Sequence, residues 1–246
     1  MWKTAVTALA LAAGTFGQSA AAGEKPTVVE LFTSQGCYSC PAAEAFLGTL
    51  ADRKDLIALE FHVDYWDELV YGFSGKWKDP FSSPDNTRRQ RSYNINIRHQ
   101  SGVYTPQMVI GGRYEAVGSR REAVHHAIRR ARADAPAKLD IEVLRRAASG
   151  YDVRINGDEP RPGKVWLVRY DHAHTTRVKS GENKGKTLIS RNIVREVREI
   201  GDWAGRSRKI VLKQLTLAEN QGCAVLVHAD QPQWPGPLLG AGLCPR

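Results

Sequence analysis

The sequence predicts an α/β layer structure with a mixed sheet, followed by a β-rich C-terminal region. Three observations carry this. In the first half, short apolar, β-branched runs alternate with segments of helical period. From Lys138 on, strand-like runs separated by Gly, Pro and Asp turns replace that alternation. The 246 residues are 42% apolar and 25% charged, which excludes disorder and collagen-like fibre. The net charge of +9 brings acidic partners into consideration, but it describes a surface and not a chemistry.

The first residues address the compartment. Lys3 precedes an apolar run from Ala5 to Ala13, and Gln18 to Ala22 supplies the small residues of a signal-peptidase site. The expectation is a signal peptide over residues 1–22, cleaved near Ala22, and a secreted or periplasmic protein in which disulfides persist. The run is about half the roughly 20 residues that a bilayer requires, so no membrane span is expected.

Thr27 to Thr33 reads as a buried strand, broken by Ser34-Gln35-Gly36. Pro41 belongs in the first turn of a helix, and Ala43, Phe46, Leu47 and Leu50 follow at helical spacing, so a helix begins at about Cys37 to Cys40. Leu56 to Val63 is a second buried strand. Ser83-Pro84-Asp85 supplies the N-cap, N1 proline and first-turn acid of a helix running to about Ile97. Gln107 to Ile110 and Arg113 to Val117 form a hairpin across Gly111-Gly112. Ser119 to Glu122 reads as a capping box opening a helix that ends near Asp134. Ala135-Pro136-Ala137 reads as a linker. Beyond it, Leu139 to Leu144, Tyr151 to Ile155, Lys164 to Tyr170, Lys209 to Leu215 and Ala224 to His228 read as strands, while Asn192 to Trp203 fits either helix or strand.

The four cysteines are two pairs of different kind. Cys37 and Cys40, at i and i+3 where a strand hands over to a helix, can close a disulfide in place. Helix dipole and free amide groups favour a thiolate at Cys37, the attacking sulfur, and Cys40 one turn on resolves the mixed disulfide. Cys223 and Cys244 flank a Pro/Gly-rich stretch, Pro232 to Gly242, with no core of its own, and read as a structural disulfide tying down the tail. Tyr104-Thr105-Pro106-Gln107 places a proline directly before a strand, where a cis bond would free backbone groups for an extended substrate.

CYSCP after a strand, a Thr-Pro loop opening the third strand and this element order resemble the thioredoxin fold. VELFTSQGCYSCP, HVDYWD, YTPQMVI and GENKGKTL more closely resemble the secreted thioredoxin-like family catalogued as domain of unknown function 1223, over about Val28 to His228. The resemblance implies a thioredoxin-like domain over 23–135 with an insertion at about 64–104, and the strand-like runs beyond the linker read as a sandwich-like β-rich domain over 138–246. It implies Cys37 attacking, Cys40 resolving and Pro106 facing them, with Thr105, Tyr38 and Ser39 as auxiliaries. Glu30 falls near the place of the buried acid that takes the resolving thiol's proton, one residue further from the cysteines than the pattern has it. Tyr38-Ser39 in place of Gly-Pro leaves oxidant, isomerase and reductant open.

The expected activity is thiol–disulfide exchange on protein or peptide substrates, with no cofactor, no resident metal and no nucleic-acid partner. Oligomeric state is not legible. Two alternatives stand: a non-catalytic binding or assembly module, and copper or zinc handling through the Cys pair. His62, Asp64 and Asp67 near the second strand's end make a metal centre conceivable. The aromatic residues Tyr65, Trp66, Tyr71, Phe73, Trp77 and Phe81 read first as packing of the insertion and second as a substrate groove. Gly181 to Thr187 is one residue short of a phosphate loop and reads as an exposed basic loop. His172 and His174 share one strand face without a third ligand. Arg88, Arg89, Arg91 and Arg98 read as a solvated face.

Overall fold

A computed structural model describes residues 25–69, 75–134, 139–147 and 149–245. The signal segment, Tyr71, Phe73 and the linker lie outside these residues. The elements run β1 (Thr27–Thr33), α1 (Pro41–Ala51), β2 (Leu56–His62), α2 (Pro84–Arg98), β3 (Gln107–Ile110), β4 (Tyr114–Val117), α3 (Arg121–Ala133), β5 (Asp140–Arg145), β6 (Tyr151–Asn156), β7 (Gly163–Arg177), β8 (Thr187–Trp203), β9 (Arg208–Leu212), β10 (Gln221–Ala229) and β11 (Leu238–Leu243). The architecture is mixed α/β.

β1 and β2 are buried along their whole lengths, because helices or further strands cover both faces. β1 pairs in parallel with β2 and antiparallel with β3, and β3 turns into β4 through Gly111 and Gly112 at φ 59° and 63°. Positive φ at both central positions is what a tight hairpin matching the sheet twist requires. The larger sheet does not stop at β2: its order is β11-β10-β7-β8-β2-β1-β3-β4, so one sheet runs through both halves of the chain. The seam is narrow. β8 meets β2 in parallel at Glu60 and Ile193, and Asn192, at φ 53°, donates its side-chain amide to the Ala58 carbonyl.

Three cores follow from the pleat. α1 and α3 cover one face of β1 to β3, burying Val29, Leu31, Phe46, Leu47 and Ile128. On the other face Val28, Phe32, Phe61 and Tyr93 pack together with Val168 and Leu226. The three-stranded sheet β5-β6-β9 stacks on the remaining face of β7 and β10, enclosing Val153, Ile155, Val165, Val225 and Trp203.

Several local expectations need correction. α1 begins at Pro41 with Cys40 as its N-cap, so Cys37 to Cys40 form the turn before the helix. α3 begins after Arg120 without a side-chain cap, so the Ser119–Glu122 capping box does not form. Asn192 to Trp203, open between helix and strand in the sequence, is strand, the C-terminal part of β8. The tail is not structureless: Leu238–Leu243 is β11, on β10, and its Leu239 enters a core. The Cys223–Cys244 disulfide closes the end of that pair, beside a 2.8 Å bond from the Cys244 amide to the Cys223 carbonyl. Arg89 does not belong to a solvated face. It is 4% exposed and bonds Glu30 through Nε (2.6 Å) and Nη2 (3.0 Å).

Candidate functional site

At the end of β1, Ser34 turns the chain: its carbonyl accepts from the Cys37 amide at 3.1 Å, and its hydroxyl accepts from Gly36. The Cys37 carbonyl then accepts from the Cys40 amide at 3.2 Å, which brings the two sulfurs together as a disulfide with Cα atoms 5.4 Å apart. Pro41 fixes the first helical φ where no amide donor is needed. Ser39 Oγ lies 3.4 Å from Cys37 Sγ.

The Thr105–Pro106 peptide is cis. Gln107 pairs with Phe32, which sets Pro106 at the end of β1 from which the cysteine turn departs. Two contacts link the loops. Trp66 Nε1 donates to Thr105 Oγ1 at 2.7 Å while its Cβ lies against Gly36, and the Pro106 carbonyl accepts from Gly118, which packs on Ala43 in the first turn of α1.

The disulfide is covered. Both cysteines are 0% exposed, whereas Tyr38 between them is 67% exposed. The cover is the turn between β7 and β8, the segment read from sequence as an exposed basic loop. Asn183 is buried, and its side-chain amide donates to the carbonyls of Gln35 (2.9 Å) and Cys37 (2.8 Å). Glu182 accepts from the Tyr38 amide at 2.8 Å, and Lys186 lies 4.5 Å over the Tyr38 ring. Lys184 and Lys186 face solvent, so the expected exposure holds for the lysines and fails for Asn183.

Between α1 and the sheet lies a buried set of ionisable groups. Glu44, one turn after Cys40, accepts from Thr33 Oγ1 at 2.7 Å. His62 stands between Glu60 and Asp79, each 2.7 Å from one ring nitrogen, and Asp79 also accepts from the Gln35 amide at 2.7 Å. Burial, reinforced by the charge of Glu60, pushes the Glu44 carboxyl up to about 8. Burial alone would lower His62, but Asp79 and Glu60 overrule it and hold the imidazolium well above its ordinary range. Burial would raise Asp79, and His62 with the Gln35 amide keeps it below the ordinary carboxylate value instead.

His62 therefore has both nitrogens committed and is no metal ligand here. Asp67 is likewise taken up by Lys78, Ser82 and the Asp79 amide, and Asp64 accepts from Thr87. Among the described residues no three His, Cys, Asp or Glu side chains are grouped to hold a metal ion. His172 stacks edge-on against Tyr170, and His174 against Phe81. Of the aromatic residues, Trp66 and Trp77 reach the segment leading into the cysteine turn, Trp66 by packing at Gly36 and Trp77 by donating to Gln35 Oε1.

Glu30 is not brought to the cysteines. It alternates with Leu31 along β1 and so faces α2, where Arg89 and Tyr93 occupy both oxygens. The acid on the cysteine side is Glu44, which the sequence reading missed although its i+4 spacing from Cys40 places both on one helix face. Glu60 also carried a signal, as a lone charge inside the apolar run LIALEFH.

Two disulfides among the described residues are those of a chain in an oxidising environment. No described helix is long and apolar enough to cross a membrane. No curated protein matches the chain. Among solved structures, the X-ray crystal structure of protein AGR_C_4864 from Agrobacterium tumefaciens is similar, with 26% identity and a TM-score of 0.72 over 89% of this chain and 93% of that one. The profile of the family described as "Protein of unknown function (DUF1223)" matches residues 28–228, and with its motifs spread along both halves of the fold the chain belongs to that family.

Proposed function

We propose that the chain is a secreted or periplasmic thioredoxin-like protein that carries out thiol–disulfide exchange on protein or peptide substrates at Cys37 and Cys40. The carrying observation is the placement of this disulfide in the turn before α1 with the buried Glu44 carboxyl one turn below it, where burial and Glu60 raise its pKa. The β2-β1-β3-β4 order, with β3 antiparallel, supports the thioredoxin-like assignment of residues 23–135, and the β5-β6-β9 sheet supports a sandwich-like second domain over 138–246.

In the oxidising direction a substrate thiolate attacks Cys37 Sγ, and the Cys37–Cys40 bond breaks. Cys40 leaves as a thiolate and takes a proton from the Glu44 carboxyl. The second substrate thiolate then attacks the substrate sulfur of the mixed disulfide and expels Cys37 as a thiolate, which the helix N-terminus favours. Two electrons pass from the substrate dithiol to the Cys pair. Pro106 and Thr105 position the substrate backbone, and exposed Tyr38 and Ser39 form the contact surface.

Equilibration with glutathione and exchange on a reporter protein test this. The wild type should turn over, and Cys37→Ser should lose at least a hundredfold. Absence of turnover in the wild type, or turnover undiminished by the substitution, removes the proposal.

Complete burial of both cysteines favours a second reading, in which the disulfide is a clasp for the β7–β8 turn in a binding module. The rate of reduction separates the two. If the turn is a cover that opens, Asn183→Ala, which removes the two bonds to the cysteine turn, worth about 1 kcal/mol each, should speed reduction of the pair by roughly ten- to a hundredfold. A clasp that opens only by global unfolding would change its reduction rate in step with stability, which urea denaturation of the same variant measures.

A further inference from the structure

On the α2 side of the large sheet, a cleft of about 530 Å³ opens between the first turns of α2, Val194 to Val197 on β8, Trp166 on β7 and Trp234. Five buried side-chain polar atoms lack a partner among the described residues. Three of them, Arg89 Nη1, Trp166 Nε1 and Trp234 Nε1, belong to residues that line this cleft. All three are N–H donors that cannot accept. Their side chains adjoin: the two indole rings lie 3.9 Å apart, tilted by 34°, and the Arg89 guanidinium lies 4.7 Å from the Trp234 ring.

The position of Arg89 is fixed by its other nitrogens. Nε and Nη2 are held by Glu30, and Nη2 also reaches Tyr93 and His228, which leaves Nη1 as the free donor. Carboxylates bordering the cleft are already engaged: Asp85 by Arg88, and Glu196 by Arg169 and Arg198, each at 3.0 Å. Arg195 sits 5.1 Å over Phe81, with Asp171 at 3.6 Å. The polar chemistry left over in the cleft is hydrogen-bond donation, from an Arg89 guanidinium whose charge Glu30 balances and from the two indoles, beside the apolar surfaces of Phe81 and Val197. Buried donors in native folds are almost always paired, and three unpaired donors on neighbouring side chains call for an acceptor, which an oxyanion supplies.

We propose that this cleft binds a small organic carboxylate with a flat apolar body. One carboxylate oxygen accepts from Arg89 Nη1 and the other from the indole N–H groups, while the body lies against Phe81 and Val197. Because the three nitrogens are themselves covered, a ligand reaches them only once a side chain of the wall turns aside. The site is separate from the disulfide and requires no thiol chemistry.

Benzoate is the probe, titrated into 15N-labelled full chain while the indole N–H resonances are followed. Trp166→Phe and Trp234→Phe identify the two signals. Both should shift to saturation in the millimolar range or below, and Trp166→Phe, which keeps an aromatic ring and removes one donor, should weaken binding roughly tenfold. Uncharged benzamide should leave both signals in place. Absence of a shift with benzoate, an equal response to benzamide, wild-type affinity in both variants, or a response to sulfate alone would each overturn the assignment.

Discussion

Glu30→Ala should lower the unfolding free energy by about 3–5 kcal/mol, the loss expected when one partner of a buried ion pair is removed. Glu30 and Arg89 are both almost fully buried, and Arg89 keeps its charge at any attainable pH, so deleting the carboxylate strands a cation beneath Phe61, Tyr93 and Trp234. His228 gives no relief. Burial and the neighbouring Arg89 push its pKa down to about 4, and a neutral imidazole cannot compensate a guanidinium. The double variant Glu30→Leu/Arg89→Met should recover most of the loss, since an apolar pair carries no desolvation cost. Urea denaturation of the three proteins measures both effects. A loss under 1 kcal/mol in Glu30→Ala would mean that water reaches Arg89.

The second large effect is a dependence of stability on pH centred on Glu44. Its folded pKa of about 8 stands above an ordinary value of 4.5. Between those two values the folded chain holds a proton that the unfolded chain has released, so stability falls as pH rises, by at most about 1.4 kcal/mol per unit. The width of that window sets a ceiling of about 5 kcal/mol. His62 adds to the slope in the same direction. Its contribution is complete below its ordinary pKa of 6.5 and is lost as pH rises through its elevated folded value. Glu44→Gln keeps an acceptor for the Thr33 hydroxyl and removes the titration. Its melting temperature should match the wild type at pH 5 and exceed it by several degrees at pH 9. Parallel pH profiles would show that Glu44 is ionised throughout.

The element carrying the cysteines was legible because its signals are local: an apolar run, a Ser-Gln-Gly break, Cys-x-x-Cys and a proline that tolerates only the first turn of a helix. The hairpin through Gly111 and Gly112 was legible for the same reason. β8 was ambiguous because its outer half is wetted on both faces and shows neither period. β11 was overlooked because its glycines resemble loop, although they let the strand approach β5, where a Cβ on Gly242 would lie 2.4 Å from the Ile141 carbonyl oxygen. The acids were harder. Glu30 and Glu44 occupy opposite faces of one layer, and deciding which attends the cysteines required the pleat of β1 in three dimensions. Asn183 lies inside the GENKGKTL motif, but nothing local points to its role, which depends on the meeting of two segments through a single register pair at the β2–β8 seam.

The cover over Cys37 also orders events in time. Cys40 is three residues from Cys37, whereas Asn183 is 146 residues away and reaches it only after β7 and β8 have formed and joined β2. Contacts across three residues close long before those across half a chain. A chain that folds from its N-terminus as it emerges therefore presents two open thiols to whatever oxidant surrounds it, and gains its shield once the C-terminal strands arrive. On that order, a chain halted before β8 would carry the same cysteine pair without Asn183 over it.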